Sequence, residues 1–78
     1  MDPDLVFSQA LQRGENSGLH ELMARHKEAV FRFIVRYTQN KADAGDLTED
    51  TFVKVYFNAQ KFRAEARVKT WIFTIATN

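Results

Sequence analysis

The sequence predicts an all-α domain, a compact bundle of three to four helices, and three observations carry that prediction. Seventy-eight residues make one domain at most. A chain of this size buries only about 60 to 65% of its unfolded surface, so the core must be small and economical. One Pro and three Gly leave too little turn chemistry for a sandwich or barrel, which needs a turn every few residues. The apolar residues, 45% of the chain, are too many for disorder and recur at helical spacing.

Asp2 followed by Pro3 reads as a helix start, because an Asp side chain caps an orphan N–H and Pro loses no hydrogen bond in the first turn. A short helix from about Pro3 to Arg13 is expected, ended by Gly14 in a left-handed conformation. Asn16 or Ser17 then caps a second helix. Its apolar positions are Leu19, Leu22, Met23, His26, Val30, Phe33, Ile34 and Tyr37, about five turns of one stripe. Arg25, Lys27, Glu28, Arg32 and Arg36 fall on the other side, and Asn40 is the expected C-cap. A third helix over about Asp43 to Ala59 would bury Ala44, Leu47, Thr51, Phe52, Val55 and Tyr56. Gln60 to Arg67 has no clean period and reads as a loop. Val68, Trp71, Ile72, Ile75 and Ala76 then resume helical spacing. With no stop signal before Asn78, this last helix reads as cut short, and the 78 residues as an N-terminal piece of a longer protein.

Composition narrows the function. Cysteine is absent, which removes disulfide and thiolate-metal chemistry and fits a reducing cytoplasm. The N-terminus lacks the pattern of a signal peptide, and the longest apolar run, near Trp71 to Ala76, is too short for membrane insertion. His20 and His26 stand six apart, which does not place both on one helix face as a metal pair requires, and His26 falls on the apolar stripe. No phosphate loop and no Ser–His–acid arrangement is visible, so the chain reads as a binding domain rather than an enzyme.

The net charge of +1 hides an uneven distribution. Asp43, Asp46, Glu49 and Asp50 lie within eight residues, with Asp43, Asp46 and Asp50 on one helical stripe. A helix N-terminus favours the first two through its macrodipole. Glu49 and Asp50 lie beyond that reach, and their mutual repulsion is relieved either by solvent or by an external cationic partner. From Lys54 onward the sign reverses: Lys54, Lys61, Arg63, Arg67 and Lys69 face the single acid Glu65. Aromatic Tyr56, Phe57, Phe62, Trp71 and Phe73 are interleaved with them. Cations for phosphates and rings for unpaired bases suit single-stranded nucleic acid, where stacking is worth about 1 to 3 kcal/mol per base. Trp71, in register with Ile75, reads as core; Phe62, in the loop between basic neighbours, reads as exposed.

Three segments in order complete the pattern: Asp46-Leu47-Thr48-Glu49-Asp50-Thr51-Phe52-Val53-Lys54-Val55-Tyr56, then Lys61-Phe62-Arg63, then Thr70-Trp71-Ile72-Phe73-Thr74-Ile75-Ala76-Thr77-Asn78. Together they resemble region 2 of the extracytoplasmic-function (ECF) sigma factors, whose pattern runs roughly D-L-x-Q-E-x-F-x-x-x-W, F-R-G, T-W-L-x-x-I-A-x-N. The resemblance extends upstream through Gly14-Glu15 and Leu22 to Tyr37. It implies a transcription initiation factor domain, without a cofactor, that docks on the clamp helices of the RNA polymerase β′ subunit and recognises and melts the promoter −10 element. Asp46, Glu49, Asp50 and Val53 would meet polymerase. Phe62 and Asn78 would help form a pocket for a flipped base of the nontemplate strand, and Lys61, Arg63, Arg67 and Lys69 would hold phosphates. An anti-sigma factor is a further implied partner. The chain departs from the pattern at Glu49-Asp50 for Gln-Glu, Tyr56 for Trp, Ala64 for Gly and Thr77 for Arg. The last two remove a cation and change how closely the backbone can approach DNA. The linker and helix-turn-helix region 4 of the family are not among these residues. The alternative is a degenerate sigma-like module that binds polymerase or an anti-sigma factor without reading DNA.

Overall fold

The computed structural model describes residues 1–78 and contains four α-helices and one short 3₁₀ turn. They are α1 (Leu5–Gln12), α2 (Ser17–Thr38), α3 (Lys41–Phe57), the 3₁₀ turn Ala59–Lys61, and α4 (Val68–Thr77). The long α2 packs against α1 and α3, and α4 lies on α3 and α2. The core is one cluster: Leu11 from α1, Leu22, Val30 and Ile34 from α2, Ala44, Phe52 and Val55 from α3, then Ala59, Phe62, Val68 and Ile72. The predicted fold class is the observed one.

Several boundaries differ from the expected ones, each for a local reason. The first helix starts at Leu5, not Pro3, because Asp2 closes a tight turn in which its carbonyl accepts from Leu5 N (3.1 Å) and its Oδ1 from Asp4 N (3.0 Å). Gly14 does adopt the left-handed region (φ 84°), as a helix end there requires. Asn16 holds the N-cap of α2 with helical backbone angles and no side-chain cap, so the capping expected of Asn16 or Ser17 is not made. At the other end, Gln39 takes the left-handed cap (φ 56°) expected of Asn40. Asn40 instead caps the next helix, its side chain accepting from Asp43 N (3.1 Å).

The buried stripe of α3 holds Ala44, Thr51, Phe52 and Val55 as expected, with Thr48 inward and Leu47 and Tyr56 outward against expectation. Ala44, Thr48, Thr51, Phe52 and Val55 face inward, and Thr48 and Thr51 stay satisfied by donating to the carbonyls of Ala44 (2.6 Å) and Leu47 (2.8 Å). Leu47 and Tyr56, expected in the core, are 42% and 44% exposed, and Tyr37 of α2 is 83% exposed. A threonine that bonds its own helix is a cheap core residue, and polarity alone conceals that.

Gly18 sets the crossing of α1 and α2. A Cβ there would lie 2.3 Å from the Phe7 carbonyl oxygen and 2.9 Å from Leu11 N, so the backbones meet where only glycine fits. Beside this crossing, the buried Asp4 carboxylate is satisfied by Arg25 Nε (2.6 Å) and His26 Nε2 (2.7 Å). This accounts for the histidine on the apolar stripe.

Asp2 also ties the chain's beginning to its last helix: its Oδ2 accepts from Val68 N (2.8 Å), an otherwise unpaired donor at the start of α4. Burial opposes ionisation of this carboxyl. The hydrogen bonds from Val68 and Asp4 and the charges of Arg67 and His26 outweigh it and hold Asp2 below its ordinary value of 3.8. A carboxyl whose native value is depressed stabilises the fold above its unfolded value and loses that contribution as pH falls through the native one. Asp2→Asn keeps an acceptor but not the charge. Its melting temperature, followed by circular dichroism, should lie below wild type near neutral pH, with the gap closing as pH falls below about 4. A gap independent of pH would refute the charge as the cause.

Candidate functional site

Two surfaces gather the residues singled out in the sequence. On α3, Asp43, Asp46, Glu49, Asp50 and Val53 are all exposed, because the inward stripe uses Ala44, Thr48, Thr51, Phe52 and Val55. Asp43, Asp46 and Asp50 have no basic partner within 4.0 Å, whereas Glu49 meets Lys27 Nζ of α2 at 3.0 Å. Both members of that pair are half-exposed, which makes it weak and easily exchanged. Between α2 and α3 an open cleft of about 660 Å³ is lined by Lys27, Phe31, Gly45, Asp46, Thr48 and Glu49 among others. A second, apolar groove of about 200 Å³ continues along α3 past Glu49, over Leu19, Met23, Phe52, Val53, Tyr56 and Phe57. Acidic groups beside an apolar groove suit a partner helix carrying cations and apolar side chains.

The second surface lies between the C-terminal end of α3 and α4. There a cleft of about 260 Å³ brings together Lys54, Asn58, Lys61, Trp71, Thr74, Ile75 and Asn78. It joins two of the expected DNA residues, Lys61 and Asn78. Lys54, Asn58 and Thr74 complete it; the sequence counted Lys54 among the cations and did not single out the other two. Arg63, Arg67 and Lys69 lie outside this cleft, exposed along the loop and the start of α4. None of Lys54, Lys61, Arg63, Arg67 and Lys69 forms an ion pair within 4.0 Å, so their charge is available to phosphates. Arg63 is the most constrained, its Nη1 donating to the carbonyls of Gln60 (3.0 Å) and Phe62 (3.3 Å).

Phe62 is the main correction to the site. Expected in the open between basic neighbours, it is 5% exposed and sits in the core, its ring centroid 5.2 Å from that of Trp71. The loop begins with a 3₁₀ turn, and at Phe62 the backbone becomes extended (φ −64°, ψ 135°), which lets the side chain turn inward. Periodicity fails across such a turn, so the inward direction was not readable. Phe62 therefore supports the cleft from below by packing on Trp71, which is itself half-buried and lines the cleft.

The family model for Sigma-70 region 2 matches residues 22–78, and the chain belongs to that family. The relatives it resembles over nearly its whole length place it as a region 2 domain of the ECF sigma factors. It is 28% identical over 75 residues to the ECF RNA polymerase sigma-E factor of Haemophilus influenzae, covering 96% of this chain and 39% of that protein. The same identity and coverage hold for the ECF RNA polymerase sigma-E factor of Escherichia coli. Identity to the RNA polymerase sigma-H factor of Pseudomonas aeruginosa is 26% over 77 residues, covering 99% of this chain and 40% of that one. The chain thus spans about 40% of the length of the curated relatives it matches. No solved structure matches it. No helix is long and apolar enough to cross a membrane.

Proposed function

We propose that this sigma region 2 domain docks on the β′ clamp helices of RNA polymerase through the α3 face and captures the nontemplate strand of the melted −10 element along the loop and α4. The observation that carries the reading is the Lys54–Lys61–Asn78 cleft with Trp71 in its wall. A flipped base placed there meets an indole to stack on and an amide to hydrogen-bond its edge, while lysines flank its phosphates. Arg63, Arg67 and Lys69 extend the cationic track, and Asp46, Glu49, Asp50 and Val53 supply the docking face. Phe62 acts from beneath, by holding Trp71. The work is done in the cytoplasm as part of a longer sigma factor, and an anti-sigma factor that covers either face is the expected antagonist. No step requires a cofactor or covalent chemistry.

The test is binding of fluorescent single-stranded oligonucleotides by the wild-type chain and by a Lys61→Ala, Lys69→Ala variant across a salt series. Both lysines are exposed and neither side chain bonds another residue, so the fold is expected to be unchanged. Affinity should drop about ten-fold at low salt, and the slope of log K against log salt should become shallower by about 1.4, at about 0.7 per phosphate contact on single strands. A folded wild-type chain that binds clamp helices but no single strand would leave the degenerate interaction module as the better account.

A further inference from the structure

The segment from the 3₁₀ turn to the start of α4 carries Lys61, Arg63 and Arg67, yet few bonds of its own hold it. Across it the backbone contributes Lys61 N to Asn58 O (2.9 Å), and Phe62 N to Ala59 O and Ala66 N to Arg63 O, both 3.3 Å. What fixes its ends comes from α1 and the turn before it. Gln12, the last residue of that helix, donates from Nε2 to the carbonyls of Ala59 (2.9 Å) and Phe62 (3.4 Å). Gln60 donates back to the Gln12 carbonyl (2.6 Å), an acceptor left open at a helix C-terminus. In the turn that leads into α1, Asp2 holds Val68 N. The segment from 59 to 68 is therefore fastened at one end by the last residue of α1 and at the other by the turn that precedes α1, both outside residues 22–78, where the family model matches.

We propose that α1 is the positioning element of the strand-capture loop, with Gln12 as the residue that sets it; this rests on the nucleic-acid reading above. The Phe62 carbonyl accepts from both Gln12 Nε2 and Arg63 Nη1, so the glutamine and the phosphate-facing arginine share one anchor. Fixing that carbonyl fixes where the guanidinium points. It also holds the turn from which Lys61 reaches the cleft and Phe62 reaches Trp71. The loop's ordering cost is then met on folding and not at the moment of capture.

Two variants separate positioning from packing. Gln12→Met keeps the half-buried side chain's bulk and removes its donors, and Gln12→Ala removes both while favouring the helix. In each, amide hydrogen exchange over residues 60–67 should rise about five-fold, the worth of one ordinary hydrogen bond, with α2 and α3 core amides unchanged. Affinity for a fluorescent single strand should fall by a similar factor well below the melting temperature. The salt slope should not change, because no charge is removed. Unchanged affinity, exchange that rises uniformly over the chain, a shallower salt slope, or a Gln12→Met variant that behaves as wild type would each overturn the proposal. A wild-type chain that binds no single strand would overturn the nucleic-acid reading and this inference together, whereas variants that bind as well as a binding wild type overturn the inference alone.

Discussion

Replacing Phe62 by Ala is expected to cost about 3 to 5 kcal/mol of folding stability, the usual cost of removing a buried phenyl ring. A domain of 78 residues holds roughly 4 to 12 kcal/mol in all, at about 0.05 to 0.15 per residue, so the variant stands near the edge of unfolding. The reason is geometric. The ring is 5% exposed, belongs to the same cluster as Val55, Val68 and Ile72, and lies against Trp71, so its loss opens a void where α3, α4 and the 3₁₀ turn meet. An exposed stacking ring behaves in the opposite way: its truncation changes stability by about 0.5 kcal/mol or less and affects DNA alone. Urea unfolding followed by far-ultraviolet circular dichroism decides between them. A midpoint near that of wild type would refute the buried position of Phe62.

Reversing two charges on α3 should have the largest effect on binding. The Asp46→Arg, Asp50→Arg variant changes the face by four units of charge and presents cations to the proposed cationic partner, a juxtaposition that costs several kcal/mol. By fluorescence anisotropy at moderate salt, wild type should bind isolated β′ clamp helices saturably, and the variant at least about 100-fold more weakly. Because both carboxylates are exposed and neither has a basic partner, melting should shift by no more than a few degrees, so lost binding cannot be blamed on lost folding. Retained binding in the variant would remove these acids from the interface. No binding by a folded wild type would remove the docking assignment and leave some other partner for this face.

The helices were legible in the sequence wherever one stripe ran unbroken. Leu22, Val30 and Ile34 in α2, and Val68 and Ile72 in α4, were placed correctly by spacing alone, because burial of a helix face imposes that spacing. The face of α3 was harder. Ala44, Thr51, Phe52 and Val55 lie inward as expected, but inward Thr48 bonds to its own helix and outward Leu47 and Tyr56 are apolar, so at those three positions polarity and burial run in opposite directions. The uneven charge was legible too, since charge reversal along a chain is a one-dimensional signal. What escaped were the contacts joining distant residues: Asp4 with His26, Asp2 with Val68, and Gln12 with Ala59. A glutamine 47 residues from its acceptor leaves no periodic trace. The same limit hid the inward turn of Phe62 and the part that Asn58 and Thr74 take in the cleft.

Trp71 is the only tryptophan in the chain, and it stands half-buried with Phe62 on one side and the cleft on the other. That placement gives the molecule an optical reporter at the junction of its core and its proposed capture surface. Emission from this indole shifts to longer wavelength when the core opens to water, and a base stacked on its free side quenches it without that shift. One unlabelled sample therefore carries two separable signals, one for loss of the fold and one for occupancy of the cleft.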